Sequence, residues 1–282
     1  MRRAERHTRA GFTLVEMIVT IVVLAIVAGM VAVFIRAPVA GYRDAVSRAE
    51  LTDIADTVLR RMSRDVRVAL PNSVRVLDGT TIEMLVTRTG GRYLSADDGI
   101  DGEPVLDFLH GGQRTFTVLG DMPAGKQQIV SGDRIVVFNL GPGFAPADAY
   151  SSGNMATVES VAGQVVTLAT NPFATQDPPL PSPSSRFHVV REAVRYTCMP
   201  GAGGTGRLLR QSGYGINQDI ATPLTGGISA LAANNVAGCS FSYLTLGTTR
   251  SSLVILSVTL QKPGSDDGPL TLTHQVHVDN TP

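Results

Sequence analysis

The chain has little of several features that define common classes of protein. Among 282 residues there is no Trp, 5% are aromatic, and only two are Cys. Two Cys exclude a dense disulfide scaffold and any zinc site built from four cysteines. The 24 basic residues balance 24 acidic ones, so net charge gives no reason to expect nucleic acid as a partner. A hydrophobic content of 43% provides for a core and excludes a wholly disordered chain.

The N-terminus combines a basic segment with a long apolar run. Residues 1–11 contain four Arg against one acid, Glu5. Residues 12–35 then contain a single ionisable side chain, that of Glu16. A helix of this length extends about 36 Å, which is enough to cross a hydrocarbon core of about 30 Å. We predict a transmembrane helix over 12–35, with the basic flank cytoplasmic and the remainder exported.

The segment Gly11-Phe12-Thr13-Leu14-Val15-Glu16 resembles the type IV prepilin signature, in which a basic leader ends in Gly. The resemblance implies that a prepilin peptidase removes residues 1–11 and methylates the new N-terminal amine of Phe12. It also implies that Glu16 pairs with the N-terminal ammonium of a neighbouring filament subunit. An unpaired carboxylate in a membrane helix costs about 2.5–3.5 kcal/mol, so Glu16 needs such a partner. The alternative is a carboxylate near the headgroups of a simple anchor.

The helical pattern continues beyond the membrane segment. Apolar residues recur at steps of three and four from Leu51 to Ala69, which predicts an amphipathic helix over 36–70. Pro71 ends this helix, because the residue before a proline avoids the helical conformation. Pro38 and Gly41 predict a kink or a local break near residue 38. The apolar stripe requires a globular partner.

The remaining residues, 71–282, are predicted to form a β-rich globular domain. An Asp-Gly turn between 74–77 and 81–86 indicates a hairpin. Residues 88–104, with Gly-Gly and an acidic cluster, are interpreted as a loop, and the Pro-rich segment 171–185 as an irregular excursion. Further strands are predicted at 115–119, 134–139, 155–160, 164–169, 187–197, 207–211, 240–245, 253–261 and 270–278. The fold class is α+β: a long N-terminal helix packed on an antiparallel sheet, as in pilins.

Two glycine-rich segments match nucleotide-binding spacings only in part. Segment 120–126 is followed by Gln127 where a phosphate-binding loop needs Ser or Thr, and segment 201–206 precedes a strand pattern instead of a helix. Both are interpreted as turns. Since no coherent catalytic set is recognised, we expect no enzyme activity, no cofactor and no small-molecule substrate.

Two smaller residue sets have candidate roles in the exported part. Asp97, Asp98, Asp101 and Glu103 are a weak calcium candidate, because calcium takes several flexible oxygen ligands. Their spacing does not fit an EF-hand, and a solvated loop is the preferred interpretation. Cys198 and Cys239 are an even pair in an oxidising compartment, which favours a disulfide. Two free buried thiols are the alternative.

The overall pattern is most similar to minor pilins of the mannose-sensitive haemagglutinin class of type IV pili. Segment 132–141, Gly-Asp-Arg-Ile-Val-Val-Phe-Asn-Leu-Gly, looks like part of the larger members of that class. The resemblance implies a single-pass protein of the bacterial inner membrane, with its globular domain in the periplasm. It would help to prime or cap a filament with other minor and major pilins.

Three other functions stay open at this point. Segment 238–243, Gly-Cys-Ser-Phe-Ser-Tyr, with the apolar strand pattern that follows it, resembles the end of J-type minor pseudopilins of type II secretion. A membrane-anchored tip adhesin would need a pocket with aromatic platforms. A membrane-tethered enzyme would need a catalytic set.

Overall fold

The structure is a computed structural model that describes residues 11–98, 100, 102–245, 251–264 and 268–282. The chain divides into two compact units, residues 1–50 and Leu51–Pro282. One α-helix, α1 (Leu14–Arg67), contributes residues to both units. Residues 1–10 of the predicted leader and Asp101 of the acidic cluster lie outside the described residues.

The first unit contains the apolar half of α1. The segment Leu14–Ile35 is helical throughout, and none of its residues is buried within the chain. Its 22 residues extend about 33 Å, the thickness of a bilayer core. A helix that is apolar on all sides requires an apolar surrounding. The segment therefore fits a single-pass membrane anchor.

The predicted break near residue 38 is absent. α1 continues without interruption through Pro38 and Gly41. A proline removes one backbone hydrogen bond of a helix, but the turns on either side can still continue. A bend of the helix axis at this proline stays a prediction.

The second unit is built on an antiparallel sheet, which confirms the α+β fold class. Every pairing between its described strands is antiparallel. Each strand predicted from the sequence overlaps one of them. The strands are β1 (Arg75–Leu77), β2 (Thr81–Tyr93), β3 (Thr115–Leu119), β4 (Arg134–Val136), β5 (Met155–Ala162), β6 (Val165–Leu168), β7 (Arg186–Met199), β8 (Gly206–Ser212), β9 (Ile228–Thr245), β10 (Ser251–Leu260) and β11 (Leu270–Asp279).

The C-terminal part of α1 covers one face of the strands β2, β7, β8, β9, β10 and β11. Its buried apolar side chains are those of Leu51, Ala55, Val58, Leu59, Met62 and Val66. The residues of β10 alternate in burial: every second residue from Ser252 to Leu260 is buried. Burying one large aliphatic side chain contributes about 1.5–3 kcal/mol. The predicted amphipathic stripe is thus the contact between helix and sheet, although α1 ends at Arg67 and not at residue 70.

A second part of the sheet closes on itself. Hydrogen-bonded pairs join β2 to β3, β3 to β6, β6 to β5, β5 to β4, β4 to β7, and β7 back to β2. These six strands form a small closed barrel, and closure leaves no unpaired edge. Its interior is apolar, with Phe116, Phe173 and Phe187 fully buried. The Pro-rich segment 171–185 contributes Phe173 from a short 3-10 helix.

The interpretation of residues 88–104 as a loop is wrong for its first part, since β2 continues to Tyr93. The Gly-Gly pair that suggested a loop has a packing role instead. A Cβ atom built on Gly91 would lie 2.9 Å from the ring of Phe187, so only glycine fits at this contact between strands.

Candidate functional site

Gly11 and Phe12, the first residues that the structure describes, are accessible. Gly11 and Phe12 precede the helix, and the Phe12 side chain is 80% exposed. A Cβ atom added to Gly11 would meet no atom within 4 Å. The fold of this chain therefore does not require glycine at position 11. A requirement for a small residue there would come from another molecule, such as a processing enzyme.

Glu16 lies in the first turn of α1 and has an exposed side chain. Its backbone N–H donates to Thr13 Oγ1 at 3.3 Å, so Thr13 caps the helix. Thr and Glu three residues apart at a helix start form a capping box, in which Gln can replace Glu. The sequence pattern thus predicts a capping contact for the Glu16 side chain, and the charge of Glu16 is a separate property.

The predicted disulfide is present between Cys198 and Cys239, whose Cα atoms lie 6.3 Å apart. Cys198 belongs to β7 and Cys239 to β9, the two strands on either side of β8. The bond therefore joins two strands that are not neighbours in the hydrogen-bonded order. This excludes the alternative of two free thiols.

We expect the change Cys198→Ser together with Cys239→Ser to lower the free energy of unfolding by about 2–5 kcal/mol. The bond closes a segment with a sequence separation of 41 residues, which corresponds to about 4 kcal/mol of lost chain entropy. Urea unfolding of the oxidised wild type and of the double variant measures the difference. Equal midpoints and slopes would contradict the prediction.

A buried ionic cluster lies on the sheet face opposite α1, and sequence reasoning missed it. Glu83 of β2 is fully buried. Its Oε2 accepts from Arg195 Nε at 2.7 Å and from the Tyr214 hydroxyl at 3.0 Å, and its Oε1 accepts from Arg75 Nε at 3.0 Å. The Arg75 guanidinium also lies 3.6 Å from the centre of the Tyr150 ring.

The cluster joins β1, β2 and β7 to the segment between β8 and β9. Arg75 donates to the carbonyl oxygens of Asn217 and Gln218, both at 2.7 Å, which ties the segment between β8 and β9 to the sheet. Burial raises the pKa of Tyr150 and of Tyr214, and the Glu83 carboxylate adds to both shifts. These hydroxyls therefore stay protonated at any physiological pH. The bonds of the cluster to the sheet and to the segment between β8 and β9 indicate a structural role.

A polar contact also joins α1 to the sheet. Asp65 Oδ2 accepts from the Tyr196 hydroxyl at 2.7 Å and from Arg210 Nε at 2.9 Å. Burial raises the pKa of Tyr196, and the negative charge of Asp65 raises it further. The contact satisfies a hydroxyl that the core would otherwise leave unpaired.

The acids of the calcium candidate have other partners in the structure. Asp98 Oδ2 accepts from the backbone and hydroxyl of Ser95 at 2.8 and 2.7 Å, and these bonds hold the pKa of Asp98 below its usual range. Glu103 accepts from Thr117 Oγ1 at 3.2 Å. Asp97 lies beside Asp98 in a 3-10 helix, and Asp101 is outside the described residues. No group of three potential metal ligands occurs within the part of the chain that the structure describes.

The two glycine-rich segments lie in connections between strands. Segment 120–126 follows β3 and leads into a three-residue 3-10 helix, Gly125–Gln127. Segment 201–206 links β7 to β8. Neither precedes the helix that binds a phosphate in nucleotide-binding loops, so both interpretations as turns are confirmed.

A cavity of about 580 Å³ opens beside the barrel, within the usual range for ligand pockets. Its lining includes Tyr93, Phe108, Leu109 and two prolines of the 171–185 segment. Burial raises the pKa of the Tyr93 hydroxyl to about 12, and that hydroxyl accepts from the Ser182 backbone N–H at 3.1 Å. Polar side chains also line the cavity, among them those of Asp97, Asp107 and His110, and the Asp107 carboxylate lies 2.8 Å from His110 Nδ1.

Comparison with known proteins places the family signal at the N-terminus. A family profile described as a prokaryotic N-terminal methylation motif matches residues 6–32. No curated protein and no solved structure matches the chain. The matched segment contains Gly11, Phe12 and Glu16, together with most of the apolar helix. The N-terminal segment is thus a type IV pilin-like prepilin signal on a single-pass, membrane-anchored chain.

Proposed function

We propose that this chain is a minor type IV pilin, most like those of the mannose-sensitive haemagglutinin class. A prepilin peptidase removes the leader, residues 1–11, and methylates Phe12. Residues 12–35 then hold the chain in the inner membrane, residues 36–70 lead into the domain, and residues 71–282 form the periplasmic domain. The chain takes part in priming a filament with other minor and major pilins, and it acts by assembly and not by catalysis.

The methylation motif at residues 6–32 is the observation that supports this proposal most strongly. Two features of the chain agree with it. The segment around Gly11 and Phe12 is accessible to a peptidase, and the apolar helix behind it is long enough to cross the membrane. The domain behind the helix is large and β-rich, which suits a subunit present in few copies.

Replacement of Gly11 by Ala or a bulkier residue is expected to block processing, so that the chain keeps residues 1–11. The reason is that a prepilin leader ends in Gly, directly before the cleaved bond, and Gly11 has that position here. Because a Cβ atom at Gly11 meets nothing within 4 Å, the variant should fold and insert normally. Mass spectrometry of the membrane fraction measures the retained leader.

Gly29→Ala is the matched control for this variant. A Cβ atom on Gly29 also meets nothing within 4 Å, and Ala favours a helix over Gly by about 1 kcal/mol. This variant should be processed like the wild type. Normal processing of the Gly11 variants would contradict cleavage after that residue.

A J-type minor pseudopilin of type II secretion is the alternative within the same class of protein. The two roles differ in what depends on the chain. Deletion of the gene should abolish or reduce surface pili if the chain is a pilin, and should stop export of secreted enzymes if it is a pseudopilin. Counting pili and assaying a secreted enzyme in the same deletion strain separates them.

The cavity beside the barrel favours a second candidate function, that of a tip adhesin. Its aromatic and proline lining provides a surface on which a sugar ring could stack. Titration of the full chain with a panel of monosaccharides tests this role. Leu109→Asp should weaken any binding, because it replaces an apolar side chain of the lining by a charged one beside Asp107. Absence of binding by the wild type would contradict recognition of these sugars by the cavity.

A further inference from the structure

The strand β11 forms an edge of the sheet. It pairs with β10 on one side and, among the described residues, with no strand on the other. Its ten residue pairs with β10 run from Leu270 to Asp279 without a register shift. Half of its backbone N–H and C=O groups therefore point away from the sheet along a straight edge.

This edge lacks the usual protection. Exposed edges in soluble proteins are short, bulged, or marked by Lys, Pro or inward-facing charge, which prevents pairing with other chains. The opposite edge strand, β1, has only three residues. β11 has ten, and its sequence, Leu-Thr-Leu-Thr-His-Gln-Val-His-Val-Asp, contains no Pro, Lys or Arg. An edge of this kind is suited to accept another strand.

A basic groove lies between this edge and α1. It has a volume of about 450 Å³ and is lined by Arg60, Ser63, Arg64, Arg67, His274 and Gln275. Arg60 contacts Asp56 at 2.6 Å. Arg64 and Arg67 are exposed, and neither makes an ion pair within the described part of the chain. Arginines near a helix C-terminus also interact favourably with the helix dipole. That effect does not explain the unpaired strand edge beside them.

We propose that β11 binds an extended, acidic segment of another protein as an additional strand. The partner's backbone would pair with the free edge of β11, as in other cases of strand addition. Its acidic side chains, on the face toward α1, would meet Arg64 and Arg67. Alternate strand residues lie about 6.6 Å apart, and Arg64 and Arg67, which are three residues apart, differ by about 4.5 Å along the helix axis. The long arginine side chains span this difference.

Charge argues against a second copy of this chain as the occupant. Two copies pairing β11 with β11 about a two-fold axis normal to the sheet would place their helices on the same face. Their arginine groups would then face each other, and like charges across an interface oppose association. An acidic segment from a different protein avoids this repulsion. The inference does not depend on the proposed role in a filament.

The test uses the full chain in a neutral detergent and a blocked eight-residue peptide, Thr-Glu-Val-Glu-Thr-Glu-Val-Glu. Fluorescence anisotropy measures affinity, and hydrogen exchange measures protection of β11. We expect binding, with slowed exchange over Leu270–Asp279 and no change at β1. A peptide with Lys in place of Glu should not bind. A peptide N-methylated at its two central residues, which blocks both of its edges, should not bind either.

Variants of the groove complete the test. Arg64→Gln together with Arg67→Gln should weaken peptide binding roughly 2- to 30-fold, the effect of losing two exposed ion pairs. Arg43→Gln together with Arg61→Gln, on exposed helix positions outside the groove, should change it less than about twofold. Equal binding of the Lys or N-methylated peptide, or no protection of β11, would overturn the proposal. Protection of β11 by self-association without peptide would overturn it in favour of a second copy.

Discussion

Glu83→Gln is expected to lower the free energy of unfolding by about 3–5 kcal/mol, the cost of removing one partner from a buried ion pair. The wild-type carboxylate faces two buried guanidinium groups, those of Arg75 and Arg195, and a buried tyrosine hydroxyl. With a neutral amide at this position, two positive charges stay in the interior without a counter-charge. The amide nitrogen of Gln is a donor, so it cannot accept one of the hydrogen bonds that a carboxylate oxygen of Glu83 accepts.

Urea unfolding of the full chain in detergent, followed by the near-ultraviolet signal of the buried tyrosines, measures this loss. Glu192→Gln is the matched control, because Glu192 pairs with Arg191 at 3.8 Å on a strand surface, where the side chains of Arg191 and Glu192 are 62% and 22% exposed. An exposed pair of this kind contributes less than about 1 kcal/mol. A Glu83 variant as stable as the Glu192 variant would show that the buried cluster does not hold the sheet face together.

Glu16→Ala is expected to abolish incorporation into a filament while leaving processing intact. The variant should enter the membrane more easily than the wild type, by about 2.5–3.5 kcal/mol, because it has no carboxylate to desolvate. Cleavage should continue, since Gly11 and Phe12 are unchanged. In the proposed filament, the neighbouring subunit's N-terminal ammonium would lose its counter-charge in a medium of low dielectric constant, which is strongly unfavourable.

Glu16→Gln separates this role from helix capping. Gln can take the place of Glu in a capping box with Thr13, but it has no charge to offer an ammonium. We therefore expect the Gln variant to fail in assembly as the Ala variant does. Co-purification with the other minor pilins and a count of surface pili measure the outcome. Assembly by the Gln variant, with failure of the Ala variant, would assign Glu16 to capping and remove the charge-pairing mechanism.

The sequence predicted those parts of the fold that local patterns control. The apolar run from Leu14 to Ile35 and the stripe from Leu51 to Val66 have helical periodicity over many turns, and both lie in α1. The hairpin of β1 and β2 was predicted from an Asp-Gly turn, and Asp78 and Gly79 both have the positive φ that such a turn requires. The disulfide between Cys198 and Cys239 followed from cysteine number and compartment.

Other parts depend on contacts between distant residues, which local patterns do not contain. The first half of β9 was missed because its Ala, Asn and Gly residues have low strand propensity, and the pairing with β8 and β10 overrides it. The barrel is defined by pairings such as β7 with β2 and β4. Glu83 and Arg195 are 112 residues apart, so nothing in the sequence near either residue marks their contact.

The mass of the wild-type chain extracted from its native membranes tests the central claim most directly. We predict a single N-terminus at Phe12 with one added methyl group, and no chain that retains residues 1–11. The same sample from a strain without prepilin peptidase should keep the leader and lack the methyl group. A wild-type chain that begins at Met1, or at any residue other than Phe12, would contradict the assignment of this protein as a processed pilin.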